Sequence, residues 1–311
     1  MKIIFFGTSS FATASLLSLI NSKHEILAVV TQPDRRSGRG LIRTFSPVKL
    51  VAQKYELTVL QPSSVASGDF IKTIKQLKAD IFVVAAFGQI LPKDLLAIPK
   101  VYSINVHSSL LPKYRGAAPI NWAVLKGESS TGVTIFRMTE GMDEGEIISA
   151  KEINIEDEDN ALTLNDKLSK VSAELLIKTL DSIYKKKAKF TKQDNSKATY
   201  APKLQKKNGL IDWAKTGKDI HNHVRAMVPW PAAFTTVNSR RVKIWKTRLL
   251  NESTECNDPS GTVLKAGREG IVVKTGDGAL LILELQAEAS KKMTADAYCR
   301  GHKLEAGQRF S

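Results

Sequence analysis

Five short apolar runs rich in β-forming residues punctuate the first half of the chain: KIIFFG, EILAVVT, DIFVVAAFG, VYSINVH and TGVTIFRM. Each has a strand's length and few polar positions, so neither face suits water. Strands of that kind need cover on both sides. The stretches between several of them supply it, because Phe11 to Asn21, Pro47 to Tyr55, Phe70 to Leu77 and Ile120 to Lys126 place apolar residues at helical spacing. The alternation predicts an α/β unit with a doubly wound, mostly parallel, Rossmann-like sheet. A longer helix is expected over Ala161 to Tyr184, with Leu164, Leu168, Val171, Leu175, Leu176 and Ile183 along one stripe. A chain of 311 residues that is 42% hydrophobic can fill such a core.

The first run turns at Gly7 into Thr8, Ser9 and Ser10, whose helix-capping chemistry interrupts the apolar stretch and argues against a secretory leader. No run approaches the roughly 18 apolar residues of a spanning helix, so no membrane partner is expected. Cys256 and Cys299 read as reduced structural thiols of a cytoplasmic protein.

After the long helix the composition changes. The stretch KKKAKFTKQDNSKATYAPKLQKKNG is polar, basic and poor in apolar residues, as an exposed linker is. Beyond one more helical pattern, IDWAKTGKDIHNHVRAMV, short strands follow with hairpin punctuation at Asn238-Ser239, Gly267 to Gly270 and Gly276 to Gly278. That spacing predicts a small antiparallel, OB-like β-barrel, a fold often used on nucleic acid. The expected organisation is therefore residues 1–189, a basic linker 190–206 and a second domain 207–311. The net charge of +15 is uneven, because residues 190–311 hold 21 of the 46 basic but only 12 of the 31 acidic side chains. Such asymmetry fits an appended module for an anionic partner, though a well-solvated surface gives the same count.

The strand VYSINVH carries Asn105 and His107 two residues apart, hence on one face. Polar groups at neighbouring positions of a buried strand are paired or used. They fall at the strand's C-terminal end, where open α/β sheets bind ligands. Alone, they are equally a polar strand end capping nearby loops. Ser108 to Pro112 then offers a serine pair and an apolar wall, and Lys113 to Pro119 sets small residues around Arg115. Further on, Asp143 sits in the acidic turn Gly141 to Gly145, as a carboxylate that orients an imidazole or as a turn residue bonded to its own backbone.

Several chemistries are disfavoured by pattern. Only Gly7 is glycine after the first strand, so the dinucleotide fingerprint is missing and NAD is not expected. The phosphate loop and the Gly-x-Ser-x-Gly elbow are missing as well. His221 and His223 lie two apart on a predicted helix, off a common face, and no cysteine cluster accompanies them, so no metal is expected. An amide, an imidazole and a carboxylate suit acyl transfer in which the substrate brings its own nucleophile.

The stretch Ile104 to Ile120, with Thr131 to Thr134 and Gly141 to Gly145, resembles the formyltransferase family that uses 10-formyltetrahydrofolate. Thr31 to Arg35, Arg39-Gly40, Ser46 to Lys49, Ala86 to Pro92, Ile211 to Trp213, Pro229 to Pro231, Val242 to Trp245 and Thr275 to Gly278 are similar to the branch acting on methionyl-initiator-tRNA. The likeness spans nearly the whole chain. It implies a catalytic set of Asn105, His107 and Asp143. It also implies a folate pocket lined by Phe87, Gly88, Gln89, Ile90 and Leu91, with Ser109, Leu110, Leu111 and Pro112 as a second folate-contacting segment. Arg39 matches a loop that enters the acceptor end of the tRNA, and Arg43 is the other cation assigned there, since the loop is less basic than the family's. Lys203, Lys206, Lys207, Arg240, Arg241, Lys243, Lys246 and Arg248 are the candidate phosphate contacts. Ser108 stands where the family usually has glycine. The implied cosubstrate is 10-formyltetrahydrofolate, and the implied state is a monomer. Transfer to another amine, such as a nucleotide-linked amino sugar, shares the same trio. A non-catalytic RNA-binding protein on this scaffold would not need it.

Overall fold

The computed structural model describes residues 1–37, 42–250 and 257–311. Arg39 and Cys256 therefore lie outside the described residues. The chain divides into two compact units, the first built from Met1–Pro119, Ser130–Asn154 and Asn165–Pro202 and the second from Ile120–Ser129, Ile155–Leu164 and Lys203–Ser311.

The first unit holds a seven-stranded sheet. Its strands are β1 (Lys2–Gly7), β2 (Glu25–Val30), β3 (Val59–Leu60), β4 (Ile81–Ala85), β5 (Tyr102–His107), β6 (Ser130–Arg137) and β7 (Ile147–Asn154), in the spatial order β7-β6-β5-β4-β1-β2-β3. The five strands from β5 to β3 pair in parallel, and β6 and β7 extend the edge antiparallel. Helices α1 (Ser10–Ile20), α2 (Pro47–Lys54), α3 (Gly68–Gln76) and α4 (Lys93–Leu96) alternate with the parallel strands. Local chemistry sets their starts: Ser46 caps α2 by accepting from the Lys49 amide with Pro47 at the first helical position, and Ser67 caps α3 through Phe70. Helix α5 (Pro119–Leu125) follows β5, and α6 (Ala161–Tyr184) spans the predicted residues. Ile4, Phe6, Val30, Phe82 and Val84 form a core that is at most 5% exposed, and the Phe6 and Phe87 rings meet edge-on at 5.5 Å.

The segment expected as a linker over 190–206 pairs with the first unit along part of its length. Its side chains are mostly exposed, yet residues up to Pro202 belong to the first unit. Thr191 bridges Ile147, and Tyr200–Ala201 forms a short parallel strand with Arg115–Gly116. A polar segment stays on a surface without a hydrophobic stripe when its backbone groups find partners, and these do.

The second unit carries the expected antiparallel sheet, with strands β8 (Ala233–Val237), β9 (Arg240–Leu249), β10 (Val263–Gly267), β11 (Gly270–Lys274) and β12 (Ala279–Ala287). The order is β8-β9-β12-β11-β10, and Met293–Thr294 pairs with β12. Asn238 and Ser239, at φ 49° and 60°, form the tight β8–β9 turn. Helix α7 (Gly217–Ala226) is capped by Thr216, and α8 (Ala295–His302) by Thr294. His221 and His223 go to different partners: His221 Nδ1 lies 2.9 Å from Thr247 Oγ1, and His223 Nε2 lies 2.7 Å from the Asn208 carbonyl oxygen. Among the described residues no helix is long and apolar enough to cross a membrane.

Candidate active site

Along β5, Ile104 is fully buried in the sheet's packing, while Asn105, Val106 and His107 border a cleft of about 590 Å³. Its walls are the segment Ala86 to Leu91 after β4, the end of β5 with Ser108, the pair Gly116 and Ala117, and the loop Met138 to Asp143 after β6. Register fixes the floor, with Asn105 beside Val84 on β4 and beside Phe136 on β6.

The wall after β4 exposes backbone rather than side chains. Phe87 is 2% exposed and Leu91 4%, both turned into the core. Thr8 Oγ1 donates to the Phe87 carbonyl at 2.8 Å, and Gln89 Oε1 accepts from the Val65 amide at 3.0 Å. With these side chains committed, main-chain groups from Phe87 to Leu91 are what a ligand meets. Ile90 is the exception, its side chain standing out in solvent at 84% exposure.

His107 is 6% exposed and its ring is pinned from behind. Nε2 lies 2.9 Å from the Tyr114 carbonyl oxygen. A carbonyl oxygen only accepts, so this bond assigns the proton to Nε2 and leaves the lone pair of the neutral ring on Nδ1. Nδ1 faces Asp143 Oδ2 at 3.7 Å. That is ion-pair range but too long for a hydrogen bond. Asp143 Oδ2 instead takes the Gly116 amide at 2.8 Å. The imidazole is thus oriented chiefly by Tyr114 rather than by Asp143. Two proton acceptors, a ring lone pair and a carboxylate, confront each other beside the Asn105 amide.

Ser109, Leu110, Leu111 and Pro112, expected as a folate-contacting segment, do not line this cleft. Ser109 is fully buried and its Oγ donates to the Lys113 carbonyl at 2.6 Å. Thr134 Oγ1 in turn donates to the Ser109 carbonyl and accepts from the Leu111 amide. Ser108, one residue earlier, is the segment's contribution to the wall. Arg115, the cation among the small residues from Lys113 to Pro119, is 3% exposed and bonded to the side-chain oxygens of Gln193 and Asn195. Sequence reasoning missed Gln193, and also Met138 and Met142, whose only signal was their nearness to the acidic turn.

The candidate phosphate contacts belong to the second unit. Lys203, Lys206, Lys207, Arg240, Arg241, Lys246 and Arg248 are exposed and Lys243 is half-buried. On β9, Arg241 and Lys243 alternate with buried Val242 and Ile244. Irregularities between Ile244 and Thr247 reset the phase, so that Lys246 and Arg248 also point outward around buried Thr247. Arg241 lies over the Phe234 ring at 3.4 Å, and Lys246 sits 4.0 Å from Glu158. Arg43 lies in a short strand, Ile42–Thr44, paired with Arg35–Ser37. A buried network closes the base of that hairpin: Lys49 Nζ contacts both Asp34 oxygens at 2.9 and 2.7 Å and Gln61 Oε1 at 2.7 Å.

A model of the formyl transferase family matches residues 1–180, and one of the formyl transferase C-terminal domain matches residues 203–303. The chain is 45% identical over 308 residues to a methionyl-tRNA formyltransferase of Acetivibrio thermocellus, covering 99% of each. Among solved structures, the sugar 3N-formyl transferase WlaRD, crystallised with dTDP and 5-N-formyl-THF, superposes with a TM-score of 0.69 at 22% identity over 94% of this chain and 99% of that one. HypX from Aquifex aeolicus in complex with tetrahydrofolic acid gives a TM-score of 0.66 at 18% identity over 96% of this chain, which spans 47% of HypX.

Proposed function

The chain belongs to the formyl transferase family, and on that premise we propose that Asn105, His107 and Asp143 move a formyl group from 10-formyltetrahydrofolate to the α-amino group of methionyl-initiator-tRNA. The observation that carries this reading is the meeting of three groups in one cleft: the Asn105 amide, His107 Nδ1 and Asp143 Oδ2, the last two 3.7 Å apart. The folate donor supplies an activated formyl carbon. Everything else falls to the chain's own residues and to the incoming amine.

An α-amino group has an ordinary pKa of roughly 7.7–8.0 and is substantially protonated at neutral pH. Attack requires the free amine, so the ammonium first gives one proton to solvent, and a second leaves the same nitrogen as the new C–N bond forms. The Nδ1 lone pair of His107 and the Asp143 carboxylate receive it together, which is why neither is consumed by a strong bond to the other in the free protein. Asn105 donates its side-chain N–H to the formyl oxygen as negative charge develops there. A single donor aimed in this way is typically worth about 2.7–4 kcal/mol of barrier. The proton held between His107 and Asp143 then serves the departing folate nitrogen. The main chain of Phe87 to Leu91 offers hydrogen-bonding groups to the pterin, and their fixed side chains mean little reorganisation on binding.

The outward cations of β9, with Lys203, Lys206 and Lys207, meet the phosphates of the tRNA. Arg39 and Arg43 serve its acceptor end. The enzyme acts as a monomer in the cytoplasm. The domain expected over 1–189 performs the chemistry, and that over 207–311 provides grip. The test is formyl transfer from 10-formyltetrahydrofolate to methionyl-tRNA, with a nucleotide-linked amino sugar as parallel acceptor. Transfer to the charged tRNA alone supports the reading. Transfer to the sugar alone retains the chemistry and refutes the acceptor, and transfer to neither refutes both.

A further inference from the structure

The two family models leave residues 181–202 uncovered. Within that gap runs a strap that touches every residue holding the reactive pair. Thr199 Oγ1 accepts from the Tyr114 amide at 2.9 Å, and Tyr114 is the residue whose carbonyl pins His107. Tyr200 and Ala201 pair with Arg115 and Gly116, and the Gly116 amide holds Asp143. The strap's most specific contact is Gln193. Its Nε2 donates to the Asp143 carbonyl at 2.8 Å and to the Gly145 carbonyl at 2.7 Å. Its Oε1 accepts from Arg115 Nε at 3.2 Å and Nη2 at 2.7 Å. Nη2 of Arg115 also donates to Asn195 Oδ1 at 2.7 Å. The amide has one possible orientation, because a flip would set Nε2 against the guanidinium and Oε1 against two carbonyls.

The turn that Gln193 grips is not one the chain holds unaided. Asp143 has φ 54°, a left-handed conformation that a non-glycine residue keeps only when its surroundings impose it. Gln193 fixes the carbonyls on both sides of Glu144, and the buried Arg115 fixes Gln193. We propose that Gln193 is a positioning residue of the formyl-transfer site, acting through Asp143, and that the strap over residues 193–201 is part of the catalytic apparatus rather than a tether. The inference rests on the assignment of proton handling to His107 and Asp143.

The experiment is steady-state formyl transfer to methionyl-tRNA by Gln193→Ala, Gln193→Glu, Asp143→Ala and the double variant Asp143→Ala/Gln193→Ala. Misplacement of a reacting group by about an ångström costs up to about 100-fold in rate. The expected result is a 10- to 100-fold fall in kcat on the order of that limit for both Gln193 variants, with KM for either substrate changed less than about twofold. Gln193→Glu keeps the volume and the Arg115 contact, so its loss reports the two carbonyl bonds and not a failure to fold. Because Gln193 acts through Asp143, its removal in the Asp143→Ala background should cost less than about twofold more. Losses that multiply in the double variant, or full kcat in both Gln193 variants while Asp143→Ala is slow, overturn the inference alone. Full rate in Asp143→Ala overturns the catalytic assignment beneath it.

Discussion

Gly116 is the position where the strap meets the site most tightly, and Gly116→Ala gives the sharpest stability prediction. Its φ is +118°, and an added Cβ would lie 2.8 Å from the Ala201 carbonyl oxygen. The obstructing atom is backbone of the paired strand, so the strap must move. Holding a side chain at such a φ costs at least about 1 kcal/mol. Displacing Ala201 also disturbs the two bonds its carbonyl accepts, from Ala117 at 2.9 Å and Ala118 at 3.1 Å. Each is worth at least about 0.5 kcal/mol net. The lower bound is thus about 2 kcal/mol, which lowers the melting temperature by at least about 4 °C at roughly 2 °C per kcal/mol for a unit of this size. The Gly116 amide also moves off Asp143 Oδ2, so kcat should fall alongside. Differential scanning calorimetry and the transfer assay on one preparation check both. A variant melting within about 1 °C of the parent at full kcat refutes the argument that the strap is closely packed and that it holds the site.

Other perturbations test other parts. His221 has its pKa pushed down to about 4, chiefly because burial disfavours its charged form and then because Arg225 lies nearby. The unfolded state takes up that proton near pH 6.5, so its stabilising contribution is intact above pH 6.5 and is lost as pH falls toward about 4. His221→Asn should flatten the pH dependence of urea unfolding over that window, and an unchanged slope refutes the assignment. Arg241→Ala and Lys243→Ala should each reduce the slope of log affinity for methionyl-tRNA against log salt by about 1 if each meets a phosphate. A slope equal to the parent's removes those two side chains from the interface. Leu168→Ala, on the buried stripe of α6 at 0% exposure, should cost about 2–5 kcal/mol in urea denaturation. A loss under about 1 kcal/mol contradicts the packing described for that helix.

The legible parts of the sequence were those governed by local chemistry. Helix α6 begins and ends where its stripe does, and α2 starts at the serine and proline that cap it. Asn105 and His107 share a face because strand period is two, so their arrival in one cleft needed no tertiary information. What stayed hidden depended on distant partners. Strand β7 carries a mixed pattern, largely exposed between Ser149 and Asn154, and exists by pairing with β6 at the sheet edge. Gln193 reaches Asp143 across 50 residues and Arg115 across 78, from a segment whose composition reads as linker. The setting of Ser109 was hidden for a related reason: its carbonyl accepts from Thr134 and its hydroxyl donates to the Lys113 carbonyl. The two amide side chains that hold Arg115, from Gln193 and Asn195, lie about 80 residues away and carry no signal in the sequence.

The central claim is that Asn105 and the His107–Asp143 pair perform the transfer. The most direct measurement is the single-turnover rate of formyl transfer from 10-formyltetrahydrofolate to methionyl-tRNA, at saturating enzyme, for the parent, Asn105→Ala and His107→Ala. Loss of one oxyanion donor predicts a rate lower by about 100- to 1,000-fold for Asn105→Ala. Loss of proton transfer predicts about 100-fold or more for His107→Ala. Both variants should retain the parent's fold by circular dichroism. Folded variants that transfer at the parent's rate would contradict the account.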